Sequence, residues 1–166
     1  MKIAHALLFS LLALTTAARA GGKTPTAYIG LHVQGEEYEG DKFVQPNTIN
    51  GEKKYFRLMP EVALRHFSAF QAFMAEDGAS YGAALKLNDE GMRAMQVMCS
   101  NSQGRLARTV INGKLLDIIH IDRVPADGYV IVWGGLTEED FKIFGKKLKR
   151  LDGGMPGEGA KKKKSR

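Results

Sequence analysis

Residues 107–123 read ARTVINGKLLDIIHIDR: two strand-forming runs joined by Asn112-Gly113. Both central positions of a two-residue hairpin turn need positive φ, and Asn-Gly meets that need at least steric cost. The stretch therefore predicts strands 105–111 and 114–121, paired antiparallel, and the rest of the fold has to be built around that hairpin. In the second run Leu116, Ile118 and His120 share one face, and Leu115, Asp117, Ile119 and Ile121 the other. His120 thus reads as a core or edge histidine before it reads as a ligand or base.

Alternation predicts further strands at 26–35 (TAYIGLHVQG), 55–59, 68–75 and 80–87, with a helical turn near 61–66. In the first of these His32 falls on the polar face, where a solvated position is expected. Residues 36–54 are polar and contain Pro46, so they read as a long loop with a short strand pair around Asn50-Gly51. Phe67, Phe70 and Phe73 are expected in the core. YVIVWGG (129–135) is continuously apolar, the pattern of a central strand.

Two segments carry helical spacing. In 88–104, Asn88 or Asp89 can cap, Met92, Met95 and Cys99 share a face, and Gly104 stops the helix. In 136–154, Thr137 and Asp140 form a capping box ahead of the stripe Phe141, Phe144, Leu148 and Leu151. Acidic residues open that segment and Lys146, Lys147, Lys149 and Arg150 close it, each sign matching the helix dipole. The expected fold class is α+β: an antiparallel or mixed sheet with two main helices packed on one face, in a ferredoxin-like order of elements.

The ends of the chain carry a different message. ALLFSLLAL (6–14) falls short of the roughly 20 apolar residues that span a bilayer. Ala18-Arg19-Ala20 follows it with the small residues that signal peptidase requires, so cleavage is expected between Ala20 and Gly21. The domain organisation expected is a signal peptide over 1–20, one α+β domain over 21–152 and a disordered basic tail over 153–166. No transmembrane segment is expected in the mature chain, which should be exported, periplasmic or extracellular. Cys99 is the sole cysteine, which excludes an intramolecular disulfide; flanked by methionines, it reads as a small buried residue.

The formal charge of +6 is concentrated at the ends. With Lys2, Arg19 and the basic groups of KKKKSR set aside, the remaining basic residues fall one short of the 18 acidic ones. The body is near neutral, so the basicity belongs to a tail and does not argue for a nucleic-acid-binding surface on the domain itself. Lys161, Lys162, Lys163, Lys164 and Arg166 are left as candidate contacts for an anionic surface.

Three segments also carry a family resemblance. ALKLNDEGMRAMQVMCSNSQGRLARTV resembles the strand, Asp/Asn-x-Glu-Gly, helix, Gly-x-x-x-Ala segment of the head subdomain in the first periplasmic domain of SecD. VINGKLLDIIHI resembles its hairpin, and VIVWGGLTEEDFKIFGKKL its closing strand-to-helix junction. The likeness covers about residues 83–151, with the head-like part taken as 80–151. Where the family's hairpin has a small residue and a proline, this chain has Asp117-Ile118-Ile119. The resemblance implies a SecD head-like fold and an envelope setting, in a stand-alone exported protein lacking the membrane helices that carry proton-coupled work in SecD.

No nucleophile elbow, paired-histidine metal motif or phosphate-cradling glycine loop is present. Besides His5 in the leader, His32, His66 and His120 lie on separate elements. No catalytic, cofactor or metal residues are assigned, and the chain is expected to be non-enzymatic. The leading expectation is an envelope- or export-associated module that binds another envelope protein or unfolded polypeptide. The alternatives are a small exported hydrolase with an unrecognised site and an anionic-surface binder acting through its tail.

Overall fold

The computed structural model describes residues 26–151. The expected leader with Ala18 and Ala20, and the tail with Lys161–Lys164 and Arg166, lie outside them. In chain order the elements are β1 (Ile29–Gly35), β2 (Val44–Ile49), β3 (Glu52–Arg57), β4 (Val62–Ala63), β5 (Phe67–Met74), β6 (Tyr81–Leu87), α1 (Asp89–Asn101), β7 (Leu106–Ile111), β8 (Lys114–His120), β9 (Tyr129–Leu136), α2 (Glu138–Phe144) and β10 (Lys149–Arg150). Short 3-10 turns at Glu37–Glu39 and Leu64–His66 fill two of the connections. The fold is α+β, as expected. Its strands form two sheets: β2-β3-β1-β7-β8, with β4 also paired to β1, and β10-β5-β6-β9.

The β7–β8 hairpin forms as the sequence requires, with Asn112 at φ 48 and Gly113 at φ 82. Asn50-Gly51 makes the same turn, at φ 51 and φ 82. It joins a fully paired hairpin, Val44–Ile49 against Glu52–Arg57, where a loop with a short strand pair was expected. Pro46 is tolerated because β2 lies at the end of its sheet.

One continuous core lies between the sheets. It takes Ile29, Leu31 and Val33 from β1, Phe70 and Ala72 from β5, Leu85 from β6 and Val130 and Val132 from β9. Both helices feed the same core, α1 through Met95, Met98 and Cys99 and α2 through Phe141 and Phe144. Phe70 stacks on Phe141 and meets Phe144 edge-on, with ring centroids 5.6 and 5.7 Å apart. Phe73 departs from the expected core set. It lies on the opposite face of β5, edge-on to Trp133 at 6.2 Å.

Several expectations are corrected by the tertiary arrangement. His32 is 4% exposed, because the β2–β3 hairpin folds over the polar face of β1. β9 terminates its sheet despite its central-strand composition. The closing helix is α2 alone: it ends at Gly145, and β10 runs parallel to β5, so Lys149 and Arg150 are strand residues. Phe141, Phe144 and Leu148 are buried as the stripe implied, but Leu148 reaches the core from the turn, and Leu151 is exposed. The single sheet becomes two because β5 leaves the strands that precede it and pairs with β6 and β10.

Asn88 caps α1 by accepting a hydrogen bond from Gly91 N at 2.8 Å. Gly91 is required by proximity, since a Cβ there would overlap the His66 carbonyl oxygen. Asp140, 3% exposed, caps α2 by accepting from Thr137 N at 2.9 Å and Thr137 Oγ1 at 2.8 Å. It also accepts from Asn112 Nδ2 at 2.9 Å and Lys114 Nζ at 2.8 Å. Burial pushes its carboxyl upward, but the bonds from Asn112, Lys114 and Thr137 outweigh that and hold its pKa down at about 2.

Two outcomes are expected from these contacts. Gly91→Ala gains at most about 1 kcal/mol of helix propensity. Overpacking costs about 1–3 kcal/mol, so the variant should unfold at lower urea than the parent, the reverse of the propensity ranking. For Asp140 the folded pKa lies below the ordinary carboxylate value, so the unfolded chain takes up the proton first as pH falls. Its contribution is complete above about pH 4 and is lost toward pH 2. In urea titrations, Asp140→Asn should be less stable near neutrality and show a flatter decline across that window.

Candidate functional site

The two sheets bring together two strands that end them. β8 closes one sheet and β9 the other, and they lie side by side without a ladder between them. At one end Leu116 sits over Gly135, where a Cβ would come within 3.0 Å of it. At the other end Ile119–Ile121 and Tyr129–Ile131 line a cavity of about 130 Å³ floored by Met95, Met98 and Cys99. Burial pushes the Cys99 thiol up, as befits the packing residue the sequence suggested.

The opposite face of β9 is open. Trp133 is 68% exposed, and with Ala75, Glu76, Asp77 and Gly134 it borders a concavity of about 430 Å³. Phe73 reaches this face from β5 and leaves no room for a side chain at Gly82. The turn beneath is stiff: Asp77 accepts from Ala79 N at 2.9 Å, Ser80 N at 2.8 Å and Ser80 Oγ at 2.6 Å. Ser80 Oγ also accepts from Gly135 N at 2.9 Å.

The four sheet ends are protected unequally. β2 carries Pro46, β10 has two residues, both cationic, and β8 carries Lys114, Asp117 and His120. β9 has eight residues, YVIVWGGL, with neither charge nor proline. Edge strands of this kind are the ones that accept another strand. Sequence reasoning missed this edge because apolar composition alone does not distinguish a central strand from an unguarded one.

The three histidines do not converge. Among the described residues no group of three or more His, Cys, Asp or Glu side chains is placed to hold a metal ion. His66, buried at 4% exposure, accepts from Ala63 N through Nδ1 at 3.1 Å, which leaves the proton on Nε2, 3.5 Å from Glu90. His120 is exposed at the cleft rim on β8. His32 Nδ1 lies 2.8 Å from the Arg57 carbonyl and must donate to it, so Nε2 accepts from the Tyr28 hydroxyl at 2.8 Å. Burial lowers the pKa of both buried rings, with a cation adding to the effect in each case, Arg108 beside His32 and Arg65 beside His66.

Around His32 lies a polar cradle that the sequence reading did not anticipate. Arg108, opposite His32 in the β1–β7 register, is 6% exposed. Its Nη groups donate to Asn47 Oδ1 and to Gln45 Oε1, and its guanidinium lies 5.3 Å from the Phe56 ring centroid. One signal was available: Arg108 alternates with Leu106 and Val110 along β7, a charge set in an apolar row.

No family model matches this chain, and no curated protein matches it. Solved structures share its fold, among them two of SecDF. One is described as "Structure and function of a membrane component SecDF that enhances protein export", with TM-score 0.50, 13% identity, 72% of this chain covered and 60% of that one. The other, "Crystal structure of SecDF in Super-membrane-facing form", has TM-score 0.50 and 13% identity, covering 74% of this chain and 19% of that one. The chain therefore has a SecDF-like fold and spans less than two thirds of either protein. Among the described residues no helix is long and apolar enough to cross a membrane.

Because the folded pKa values of His32 and His66 lie below the ordinary value, their neutral forms favour folding. That contribution is complete above the ordinary histidine pKa of about 6.5 and falls as pH drops below it. The urea midpoint should decrease between about pH 7 and pH 5. A His32→Gln, His66→Gln double variant should lose most of that slope.

Proposed function

We propose that this protein is a non-enzymatic, export-associated module of the cell envelope that binds unfolded polypeptide by strand addition. The observation that carries the reading is the seam between β8 and β9, where β9 lies against β8 without a ladder on its outer side. An extended segment laid along it would gain main-chain hydrogen bonds whatever its sequence. Its alternating side chains would fall on two apolar surfaces, the cleft floored by Met95, Met98 and Cys99 and the open face bearing Trp133. Backbone pairing with adaptable methionine and aromatic contacts suits a binder that meets many sequences.

The SecDF-like fold supports an export setting, since one of the matched structures is described as a component that enhances protein export. The leader expected from the sequence is consistent with an envelope location. The partner class is unfolded polypeptide, or an envelope protein offering an extended segment.

Trp133 is the one tryptophan, so its emission reports directly on this surface. Titration with a permanently unfolded, carboxymethylated protein should give a saturable blue shift. Ile131→Lys places a charge on the β9 edge. It should weaken that binding about tenfold or more, with the thermal midpoint changed by only a few degrees. No shift with the parent protein, or equal binding by Ile131→Lys, would remove strand addition as the function.

A further inference from the structure

A guanidinium taken out of water is ordinarily paired with a carboxylate. Arg108 is 6% exposed, and among the described residues no Asp or Glu lies within ion-pair distance of it. Its Nη groups are met by neutral amide oxygens of Asn47 and Gln45, and its Nε has no hydrogen-bond partner among the described residues. The neighbouring His32 adds no compensating charge, being neutral and fully engaged between Tyr28 and the Arg57 carbonyl.

This group borders an open cavity of about 370 Å³, with Tyr28, His32, Gln45 and Asn47 on its walls and Leu58 and Leu115 at its apolar margin. The amide NH2 groups of Asn47 and Gln45 make no hydrogen bond among the described residues, although their oxygens are turned to Arg108. The walls thus hold one positive charge, several uncommitted donors and no acid. The volume is in the range of sites that hold small ligands.

We infer that the Arg108 cavity is a binding site for a carboxylate. The charge count selects the ligand class: a monoanion neutralises Arg108, whereas a phosphate dianion would leave a charge uncompensated beside a buried ring. The planar guanidinium also matches a carboxylate through two parallel N–H donors. The carboxylate belongs either to a small organic acid or to the C-terminus of a polypeptide. This site stands apart from the β9 edge, and its existence does not depend on the polypeptide-binding reading.

The test uses the full chain and follows the Arg108 Nε–H resonance by NMR, with the thermal midpoint alongside. Sodium acetate is titrated against sodium chloride and sodium phosphate at matched ionic strength. Acetate should shift the resonance saturably and raise the midpoint, and chloride should do neither. Arg108→Gln should abolish the response, and Arg108→Lys should weaken it at least about tenfold because the fork is lost. A short acetylated peptide ending in a free carboxylate, compared with its amide, separates the two sources. Tighter binding than acetate by the acid but not the amide assigns a chain terminus, and equal binding assigns a small acid. Should Arg108→Gln fail to fold, Asn47→Ala and the parent titration keep the question decidable. No saturable shift with any carboxylate, an identical response to chloride, or preference for phosphate would overturn the site.

Discussion

The Asp140 carboxylate connects parts of the chain that local structure alone would leave independent. It closes the first turn of α2 through Thr137, holds the tip of the β7–β8 hairpin through Asn112 and pairs with Lys114 at the start of β8. The hairpin belongs to one sheet, and α2 packs its phenylalanines on β5 of the other. A single buried acid therefore ties the hairpin of one sheet to the helix that packs on the other. At their junction β8 and β9 lie together without forming a ladder.

That unjoined seam gives the molecule its functional character. Two sheets whose ends paired fully would form a continuous layer with no internal edge. Here Leu116 holds the strands together at one end over Gly135, and the other end opens onto methionines that can repack. The open face of β9 presents Trp133, held from below by Phe73 against a glycine that leaves space for the ring. Strand edge, aromatic face and methionine-floored cleft lie within one short strand's reach.

The six-stranded sheet has a separate chemistry on its other side. β1 is buried on both faces because the β2–β3 hairpin covers the polar one; His32 is held there by Tyr28 and the Arg57 carbonyl, and Arg108 by Asn47 and Gln45 at its Nη groups only. A cover made only for stability would close on apolar residues, since unpaired buried charge is costly. This one keeps a guanidinium that has no counter-charge among the described residues, at the wall of an open cavity.

Local chemistry determined both Asn-Gly turns, the caps by Asn88 and Asp140, most strand positions and the burial of Cys99, because each depends on residues within a few positions of one another. The α+β class followed from their order. Tertiary structure alone decided which strand became an edge, because Tyr129–Leu136 has the same apolar pattern whether one neighbour pairs with it or two. It also decided the fate of His32, which alternates as a solvent-facing residue and is covered by a hairpin from a later part of the chain. The end of the closing helix was decided there as well. The spacing of Phe141, Phe144 and Leu148 suits a longer helix, but Gly145 and an unpaired edge of β5 drew the following residues into a strand. Periodicity records which side of an element is apolar, and what lies against the other side is set by segments distant in sequence.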